Sequence, residues 1–318
     1  MRITHINVTD SKGGAARAAY RLHSGLRQLG YDSQMLVAER SSSDPSIKAF
    51  STSRLDPVLR RIRYRQLTLR YWRHWLTRPK GYDPFTGPSS PSGVGLAKQV
   101  PPHEIINLHR IADLLDYQTL FGTLHANTSV VWTQHDMNAF TGGCAYAYDC
   151  SGLHNTCGNC PQLGSENPDD LSSINWRLKK AIFEQLGSNR LHIVTPSSWM
   201  AAQAQPSSLL SGIRVSVIPN SLDTEVFSPQ NRPMSREALG IPDDAQVILF
   251  SAASVVDRRK GFQYLVQALG SLDDPSGKLL LVSLGKGRPD IAAAVPHLHL
   301  GRITDDSQLA QAYSAADI

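Results

Sequence analysis

The amino-acid sequence predicts an α/β protein made of two successive halves, each built on a parallel sheet, with the second half incomplete. The chain opens with a strand, a glycine turn, a helix and a second strand, which is how a doubly wound sheet begins. Strands and helices keep alternating, and a second set starts near residue 246. Residues 312–318 have the pattern of a helix end turning into a buried strand, so we expect the second sheet to be cut short.

Hydrophobic periodicity places the elements of the first half. Residues 3–8 form a short apolar strand, and residues 15–29 carry apolar side chains at helical spacing up to the helix stop at Gly30. A long helix is predicted at 171–186. Further strands are predicted at 34–38, 105–108, 130–133, 193–196 and 215–218.

The second half shows the same alternation after a Pro- and Asn-rich stretch at 219–233, which we interpret as a linker. The predicted domains are therefore residues 1–218 and 219–318. In the second domain the predicted strands are 247–250, 279–284 and 298–300, and the predicted helices are 261–269 and 306–315.

Composition limits the class of protein. The chain has 318 residues, 41% of them hydrophobic, which is enough for two domains with real cores. The net charge of +5 favours anionic partners. The apolar run at residues 1–8 is too short for a signal peptide, and no stretch reaches the ~18 apolar residues of a membrane span. We therefore expect a cytoplasmic chain, with peripheral contact at the inner face of the membrane left open.

Residues 54–80 form a basic arm with nine Lys or Arg residues and one acid, Asp56. Placed on a helix, its apolar residues make a stripe that Arg65 and Arg73 interrupt: Leu55, Leu59, Ile62, Leu69, Trp72 and Leu76. A basic helix with aromatic side chains can lie on an anionic membrane. The alternative is a solvated arm packed on its own domain. No motif supports nucleic-acid binding.

Four cysteines lie within 17 residues of the loop 136–165: Cys144, Cys150, Cys157 and Cys160. The close C-x2-C pair at the end is typical of a metal knuckle, and four thiolates match a closed structural zinc site. An iron–sulfur cluster also accepts four cysteines, and His154 could replace one ligand. Reduced free thiols or two disulfides are the alternatives, and disulfides are disfavoured in the cytoplasm.

Two motifs of the first half stand at strand ends. Gly13 and Gly14 follow the first strand, where glycine lets the backbone and a helix N-terminus approach a phosphate or a sugar hydroxyl. A simple tight turn explains them equally well. His135 and Asp136 follow the strand at 130–133, and side chains at the carboxyl end of a parallel strand face the ligand crevice. A structural histidine is the alternative there.

The second half carries glycine or cations after three successive strands. Arg258, Arg259 and Lys260 precede Gly261 at a predicted helix start, which suits a diphosphate. The other two strand ends carry Gly285-Lys286-Gly287 and Gly301-Arg302. The coincidence of three such ends indicates a nucleotide site more strongly than any single motif.

Together these residues resemble glycosyltransferase family 4, whose members are retaining enzymes with the GT-B fold. The resemblance covers nearly the whole chain and rests on these segments: Gly13-Gly14-Ala15-Ala16-Arg17, His135-Asp136, Ile218-Pro219-Asn220, Phe227-Ser228-Pro229, Lys260-Gly261, Gly285-Lys286-Gly287, Gly301-Arg302 and Ala316-Asp317. The cysteine segment, which begins Phe140-Thr141-Gly142-Gly143 and ends Pro161-Gln162-Leu163, is similar to the subgroup for colanic acid and other exopolysaccharides.

The resemblance implies two Rossmann-like domains facing across a cleft: an N-terminal acceptor-side domain and a partial C-terminal domain that binds the nucleotide sugar. It implies transfer of the sugar to a glycan or lipid-linked acceptor with retention, and no metal for the transfer. Lys260, with Arg259 or Arg258, would neutralise the leaving diphosphate, and His135 would contact the sugar. Donor-binding positions would be Gly13, Gly14, Arg258, Gly261, Gly285, Gly287, Gly301 and Arg302.

The sequence departs from the family pattern at three places. Residues 251–254 replace a Gly-Arg-Leu segment, so Arg258 or Arg259 would substitute for its arginine, and Asn220-Ser221 replaces Asn-Gly. The paired-glutamate motif, E-x7-E, which holds the donor ribose in the family, would follow Asp317 and is absent. We therefore expect the 318-residue form to be a C-terminally truncated enzyme with weak or no activity.

Two other functions compete with this one. The first is a non-catalytic metal-knuckle module that uses the basic arm to bind a membrane or a polyanion. The second is a nucleotide-dependent dehydrogenase, which is disfavoured because the first glycine turn lacks the dinucleotide spacing. Only Glu39 stands near the position of a ribose-binding acid.

Overall fold

The computed structural model describes residues 1–318 except 52–55, 102, 273, 275 and 289–294, and it describes no side chain at 70, 73, 75 and 77. The chain divides into two compact units, Met1–Ser221 and Leu222–Ile318. We call them unit 1 and unit 2.

Unit 1 is built on a parallel sheet of seven strands, in the order β3-β2-β1-β4-β5-β6-β7. The strands are β1 (Arg2–Thr9), β2 (Asp32–Glu39), β3 (Ile47–Ala49), β4 (Ile105–Leu108), β5 (Ser129–Thr133), β6 (Leu191–Thr195) and β7 (Arg214–Val217). The helices are α1 (Gly14–Gln28), α2 (Pro57–Thr77), α3 (Gly93–Ala97), α4 (Tyr117–Thr123), α5 (Leu171–Leu186) and α6 (Ser198–Ala204).

The strand order reverses between β1 and β4. From β1 the chain adds β2 and β3 on one side, and then returns to place β4 on the other side. In open parallel sheets, ligands bind outside the carboxyl ends of the strands at such a switch point. Residues that follow β1, β4 and β5 therefore lie where a ligand is expected.

The main core of unit 1 packs the central strands against α4 and α5. Ile106, Leu108 and Val130 are fully buried from the sheet, and Ile182 and Phe183 are buried from α5. Burying each such side chain stabilises the fold by about 1.5–3 kcal/mol.

Helix α5 begins at a strong cap, because the Asp170 carboxylate accepts hydrogen bonds from the backbone N–H groups of Ser172 (2.8 Å) and Ser173 (3.3 Å). It ends at Gly187, whose φ of 85° suits glycine.

Unit 2 is built on a parallel sheet of three strands, in the order β10-β9-β8. The strands are β8 (Gln246–Ser254), β9 (Leu279–Lys286) and β10 (His297–Gly301), and the helices are α7 (Arg232–Leu239), α8 (Phe262–Leu269) and α9 (Asp306–Ala315). Ile241, Val247 and Val282 form a core with Ala315 of α9. Because the strands are parallel, the chain leaves all three at the same edge of the sheet.

The α/β prediction is confirmed, although helix α7 begins at Arg232, inside the predicted linker, and several strand ends differ from their predicted positions. The predicted strand at 193–196 ends before Pro196, which has no backbone N–H to donate. Residues 316–318 do not form the buried strand that the apolar pattern predicts, although Asp317 N donates to Val247 O at 3.0 Å. Ile318 is 85% exposed.

The basic arm forms helix α2. Asp56 caps it by accepting from the backbone N–H groups of Val58 and Leu59, and Pro57 occupies the first turn. Leu55 of the predicted stripe, together with Arg54, lies outside the described residues. Within the described chain, no helix combines the length and the apolarity that crossing a bilayer requires.

Candidate functional site

The candidate site of unit 1 is a pocket at the carboxyl edge of β4 and β5. His109 and Arg110 follow β4, and His135 and Asp136 follow β5, so the parallel register brings the two pairs together. The indole of Trp132 donates to the carbonyl of His109 at 3.0 Å and fixes the start of that turn. The pocket is lined by His109, Arg110, Ile111, Ala112, Tyr117, Trp132, Gln134, His135, Asp136, Asn138 and Ala139.

Three imidazoles run in series across the central strands to this pocket. His5 Nδ1 lies 3.3 Å from His109 Nε2, and His109 Nδ1 lies 3.0 Å from His135 Nε2. The rings are stacked, with centroids 5.6 and 5.3 Å apart. His5 and His109 are buried, whereas His135 is half-buried at the pocket. We call these three residues the histidine row.

The histidine row is neutral at pH 7. Burial lowers the pKa of His5 to about 3 and that of His135 to about 4. Burial also holds the pKa of His109 well below its ordinary value, and the neighbouring imidazoles lower it further. A cation on any of these rings would lose its hydration. His135 therefore faces the pocket as an uncharged group that can donate or accept a hydrogen bond.

Two carboxyl groups of the loops that follow β4 and β5 have raised pKa values. Partial desolvation raises the pKa of Asp113 to about 6, although the residue is exposed, against the opposing effects of Arg110 and Lys179. Burial also raises the pKa of Asp136, whose carboxylate accepts from the backbone N–H of Asn138 at 2.9 Å. The neutral ring of His135 thus shares the pocket with the carboxyl group of Asp136 and the exposed cation of Arg110.

Lys179 of α5 supports the turn that follows Asp136. Its Nζ is fully buried and donates to the carbonyls of Asn138 and Thr141, the latter at 3.0 Å. Burial lowers its pKa to about 8. This lysine satisfies backbone oxygens that water does not reach, which fixes the turn beneath the pocket.

Gly13 and Gly14 stand at the same sheet edge, between β1 and α1. Gly13 has a φ of 91°, so its conformation favours glycine. A Cβ on Gly14 would meet nothing within 4 Å, so packing inside the protein does not require glycine there. The open space in front of the α1 N-terminus is compatible with the close approach of a ligand.

The predicted metal site is not supported. All four cysteines are free, and the described part of the chain holds no group of three or more His, Cys, Asp or Glu residues that could bind a metal. In the metal-free chain, burial raises the pKa of Cys144 and Cys157 to about 11 and that of Cys160 to about 12. The described residues support neither the zinc nor the iron–sulfur prediction.

Hydrogen bonds to the start of α5 hold the cysteine loop instead. The Asp170 carboxylate accepts from Cys160 N at 2.8 Å, and the Ser172 hydroxyl accepts from Gly158 N at 2.9 Å. Gly158 has a φ of 95°, and a Cβ there would lie 2.2 Å from the Pro168 carbonyl oxygen. The tight Cys157–Cys160 turn, which predicted a metal knuckle, therefore has another physical cause.

In unit 2, residues Arg258–Lys260 form a single 3-10 turn at the carboxyl end of β8, which we call the basic turn. Asp257 caps it, and its carboxylate pairs with Arg259 at 2.9 Å. All three cations are exposed. Among the described residues, no hydrogen bond or ion pair engages the Arg258 or Lys260 side chain.

Backbone conformation or close packing explains why glycine occupies several positions of unit 2. Gly261 has a φ of 79° where the basic turn passes into α8. A Cβ on Gly285 would lie 2.4 Å from the Ala252 carbonyl oxygen, and one on Gly287 would lie 3.0 Å from Val256. Gly301 has a φ of 69° beside open space, and Arg302 after it is exposed. These positions lie at one sheet edge, and their donor-binding role remains a prediction.

Several groups at these sites were not predicted from sequence. Single buried residues such as His5 and Lys179 carry no motif, and His109 follows β4 with no distinguishing spacing. Only the strand order brings β1, β4 and β5 together. Polar residues inside or just after apolar strands, as in Ile3–Val8 and Ile105–Arg110, were the available signal.

Comparison with known proteins gives relatives in sequence. No protein-family model matches the chain. It is 29% identical over 195 residues to a putative colanic acid biosynthesis glycosyl transferase, WcaC, of Escherichia coli, covering 60% of this chain and 45% of that protein. It is 26% identical over 133 residues to a lipopolysaccharide 1,2-N-acetylglucosaminetransferase of Salmonella typhimurium, covering 42% and 33%. The match thus spans less than half the length of these relatives.

Solved structures give relatives in fold. The structure of Anabaena Alr3699/HepE in complex with UDP and glucose aligns with 100% of this chain, and the alignment covers 72% of the Anabaena chain, with a TM-score of 0.53 and 13% identity. The structure of a glycosyltransferase from Rickettsia africae aligns with 99% of this chain and covers 71% of its own chain, with a TM-score of 0.54 and 12% identity. At this identity the likeness shows the fold. The chain has the GT-B fold, and its sequence is similar to bacterial glycosyltransferases of colanic acid and lipopolysaccharide synthesis.

Proposed function

We propose that this chain is a retaining glycosyltransferase of family 4 that moves a hexose from a nucleotide sugar to a glycan or lipid-linked acceptor in polysaccharide biosynthesis. The observation that carries the proposal is the placement of His135 in a pocket at the carboxyl edge of β4 and β5, next to the switch point of a GT-B-type sheet. The named sequence relatives and the neighbour solved with UDP and glucose support the same reaction class.

The basic turn of unit 2 is the proposed diphosphate site. Lys260 and Arg258 are exposed at a strand end, and their charges are not neutralised by described side chains. Breaking the glycosidic bond to a nucleotide sugar leaves negative charge on the departing diphosphate. Fixed cations stabilise that charge as it develops. Arg259, which already pairs with Asp257, contributes less charge.

The pocket of unit 1 is the proposed contact for one hydroxyl of the sugar, because its volume of about 10 Å³ has room for only one water-sized group. His135 is neutral and half-buried, so it can hydrogen-bond a sugar hydroxyl without the cost of desolvating a cation. Gly14 leaves room for the donor or the acceptor at the N-terminus of α1. We assign no residue as a nucleophile. The anomeric configuration is retained when the acceptor attacks the anomeric carbon from the same face that the diphosphate leaves, and such an attack needs no covalent intermediate with the protein.

The transfer proposal is tested by incubating the purified chain with UDP-, GDP- and ADP-hexoses and a lipid-linked glycan extract, and measuring release of the nucleoside diphosphate. We expect every nucleotide class but one to be inert, and that one to give at most weak release, with a product whose anomeric configuration by NMR matches the donor. An inverted product would contradict retention. Failure of every nucleotide sugar to bind would contradict the function itself.

We also propose that α2 contacts an anionic membrane surface. Its apolar stripe points away from unit 1: Leu69 is 71% exposed, Leu76 77% and Trp72 45%. The side that carries Leu67 and Tyr71 is half-buried. Arginines and no acid lie between Pro57 and Thr77, so the exposed face is both apolar and cationic.

Vesicle sedimentation tests the membrane contact. We expect binding to vesicles that contain phosphatidylglycerol, little binding to pure phosphatidylcholine, and loss of binding in the double variant Leu69→Ser, Leu76→Ser. The matched control is Leu29→Ser, which removes a leucine that is 75% exposed outside α2 and should change nothing. Binding that survives the double substitution would show that the apolar stripe of α2 does not make the membrane contact.

A further inference from the structure

The histidine row ends in the core at an atom without a partner. His5 Nε2 is buried, and it forms no hydrogen bond with the described residues. The other imidazole beside His5, that of His23, cannot serve, because its two nitrogens already bond the hydroxyls of Ser33 (2.8 Å) and Ser46 (2.9 Å). The row therefore has one end closed in the protein and one end, His135, open to the pocket.

Only two proton arrangements satisfy both bonds of the row while every ring is neutral. In the first, each Nδ1–H donates toward the pocket: His5 to His109, and His109 to His135. In the second, each Nε2–H donates toward the core. A neutral imidazole carries one proton, so the arrangement of one ring sets the arrangement of the next.

The buried Nε2 of His5, at the closed end of the row, distinguishes the two proton arrangements. The first arrangement leaves a bare nitrogen of His5 in the core, and the second leaves an N–H there without an acceptor. Among buried backbone groups, N–H donors without a partner are rarer than carbonyl acceptors that lack one, and we extend this preference to the imidazole nitrogens. The first arrangement is therefore favoured. It leaves His135 with its proton on Nδ1, the nitrogen that does not bond His109.

We propose that His5 and His109 are positioning residues that hold His135 as the Nδ1–H tautomer, so that it presents a hydrogen-bond donor to a hydroxyl of the bound sugar. The sugar part of this inference rests on the proposed function, whereas the tautomer part does not. Free histidine prefers the other tautomer, with the proton on Nε2. The row thus imposes a proton position that an isolated His135 would not keep.

NMR spectroscopy of the histidine nitrogens tests the tautomer in the full chain without any ligand. Long-range proton–nitrogen correlations distinguish a protonated ring nitrogen from a bare one, and the His135→Asn variant assigns the signals. In the wild type we expect His135 to be protonated on Nδ1 and bare on Nε2. The reverse pattern would overturn the proposal.

Two substitutions at His109 make the test specific. In His109→Phe a ring still stacks on His135 but donates nothing, so His135 should shift to the Nε2–H tautomer. In His109→Gln an amide N–H can replace the donor, so the Nδ1–H tautomer should return. Circular dichroism confirms that each variant is folded. A folded His109→Phe variant in which His135 keeps its wild-type tautomer would contradict the role of the row.

Calorimetric titration with UDP-glucose and with UDP as probes tests the sugar contact. We expect His109→Phe to weaken UDP-glucose binding about five- to tenfold, the loss of about one hydrogen bond, and UDP binding by less than twofold. His109→Gln should recover most of the loss. Unchanged UDP-glucose affinity in His109→Phe would overturn the sugar contact. Absence of binding in the wild type by UDP-glucose and by the GDP- and ADP-hexoses alike would refute the proposed function and leave the NMR result standing.

Discussion

In unit 1 the groups around His135 are buried and bonded to one another, whereas in unit 2 Arg258 and Lys260 stand exposed on a three-residue turn. The site of unit 1 depends on burial, which keeps the imidazoles neutral and makes the loss of any hydrogen-bond partner costly. The basic turn of unit 2 depends on charges that water already solvates. Substitutions in unit 1 should therefore lower the free energy of unfolding, whereas substitutions in the basic turn should weaken only ligand binding.

The largest expected effect is that of Lys179→Met. The substitution removes a buried ammonium and leaves the Asn138 and Thr141 carbonyls without their donor. Leaving a buried polar group unpaired costs about 1–3 kcal/mol, so we expect the free energy of unfolding to fall by about 3 kcal/mol. Urea denaturation measures it.

The matched control is the next residue, Lys180, whose ion pair with Glu184 (3.6 Å) lies on the outer side of α5. Lys180→Met should change the unfolding free energy by less than about 0.5 kcal/mol. An equal fall in the unfolding free energy of the two variants would show that the buried hydrogen bonds of Lys179 do not contribute more to the stability of unit 1 than an exposed ion pair does.

The second effect is acid destabilisation through the histidine row. Burial lowers the folded-state pKa of His5 to about 3, below the unfolded value of 6.5. Below pH 6.5 the unfolded chain binds a proton that the folded chain does not, so stability present at pH 7 is lost as the pH falls. Between pH 7 and 5.5 this amounts to about 1 kcal/mol for one imidazole.

Replacing His5 by Phe should remove that share of the pH dependence. We expect urea denaturation of His5→Phe at pH 7 and 5.5 to show a fall smaller than that of the wild type by about 1 kcal/mol. The exposed His154, changed to Gln, should leave the wild-type dependence intact. An unaltered slope in His5→Phe would contradict a buried neutral ring.

The smallest effect on stability is expected at Gly14. A Cβ there meets nothing within 4 Å, so Gly14→Ala should change the unfolding free energy by less than about 1 kcal/mol. If a ligand approaches this backbone, the added methyl should weaken UDP-glucose binding several-fold. Gly25→Ala in the same helix also meets nothing, and it should leave binding unchanged. Equal affinities in the two variants would remove Gly14 from the site.

The two regions also differ in how far the sequence predicted them. Strands and helices with strong periodicity were located within a few residues, and Leu171–Leu186 and Asp306–Ala315 were predicted with the observed bounds. The basic turn was equally visible, because three adjacent cations before Gly261 are a local signal. The fold class followed from the same alternation of strands and helices.

What the sequence could not show depends on contacts between distant residues. His5 and His109 are 104 positions apart, and only the strand order makes them neighbours. The cysteine window predicted a metal that the described residues do not support, and the backbone bonds of Cys160 to Asp170 and of Gly158 to Ser172 favour the same tight spacing. Spacing alone does not distinguish a turn held by a metal from one held by a helix cap.

The most direct test of the account is a calorimetric comparison of UDP and UDP-glucose binding in three proteins: the wild type, His135→Ala and Lys260→Met. Lys260→Met should weaken both ligands about tenfold, because it removes a cation from the diphosphate. His135→Ala should weaken UDP-glucose alone. Loss of UDP binding in His135→Ala, or full affinity for both ligands in Lys260→Met, would contradict the division between a neutral sugar pocket and a cationic phosphate turn.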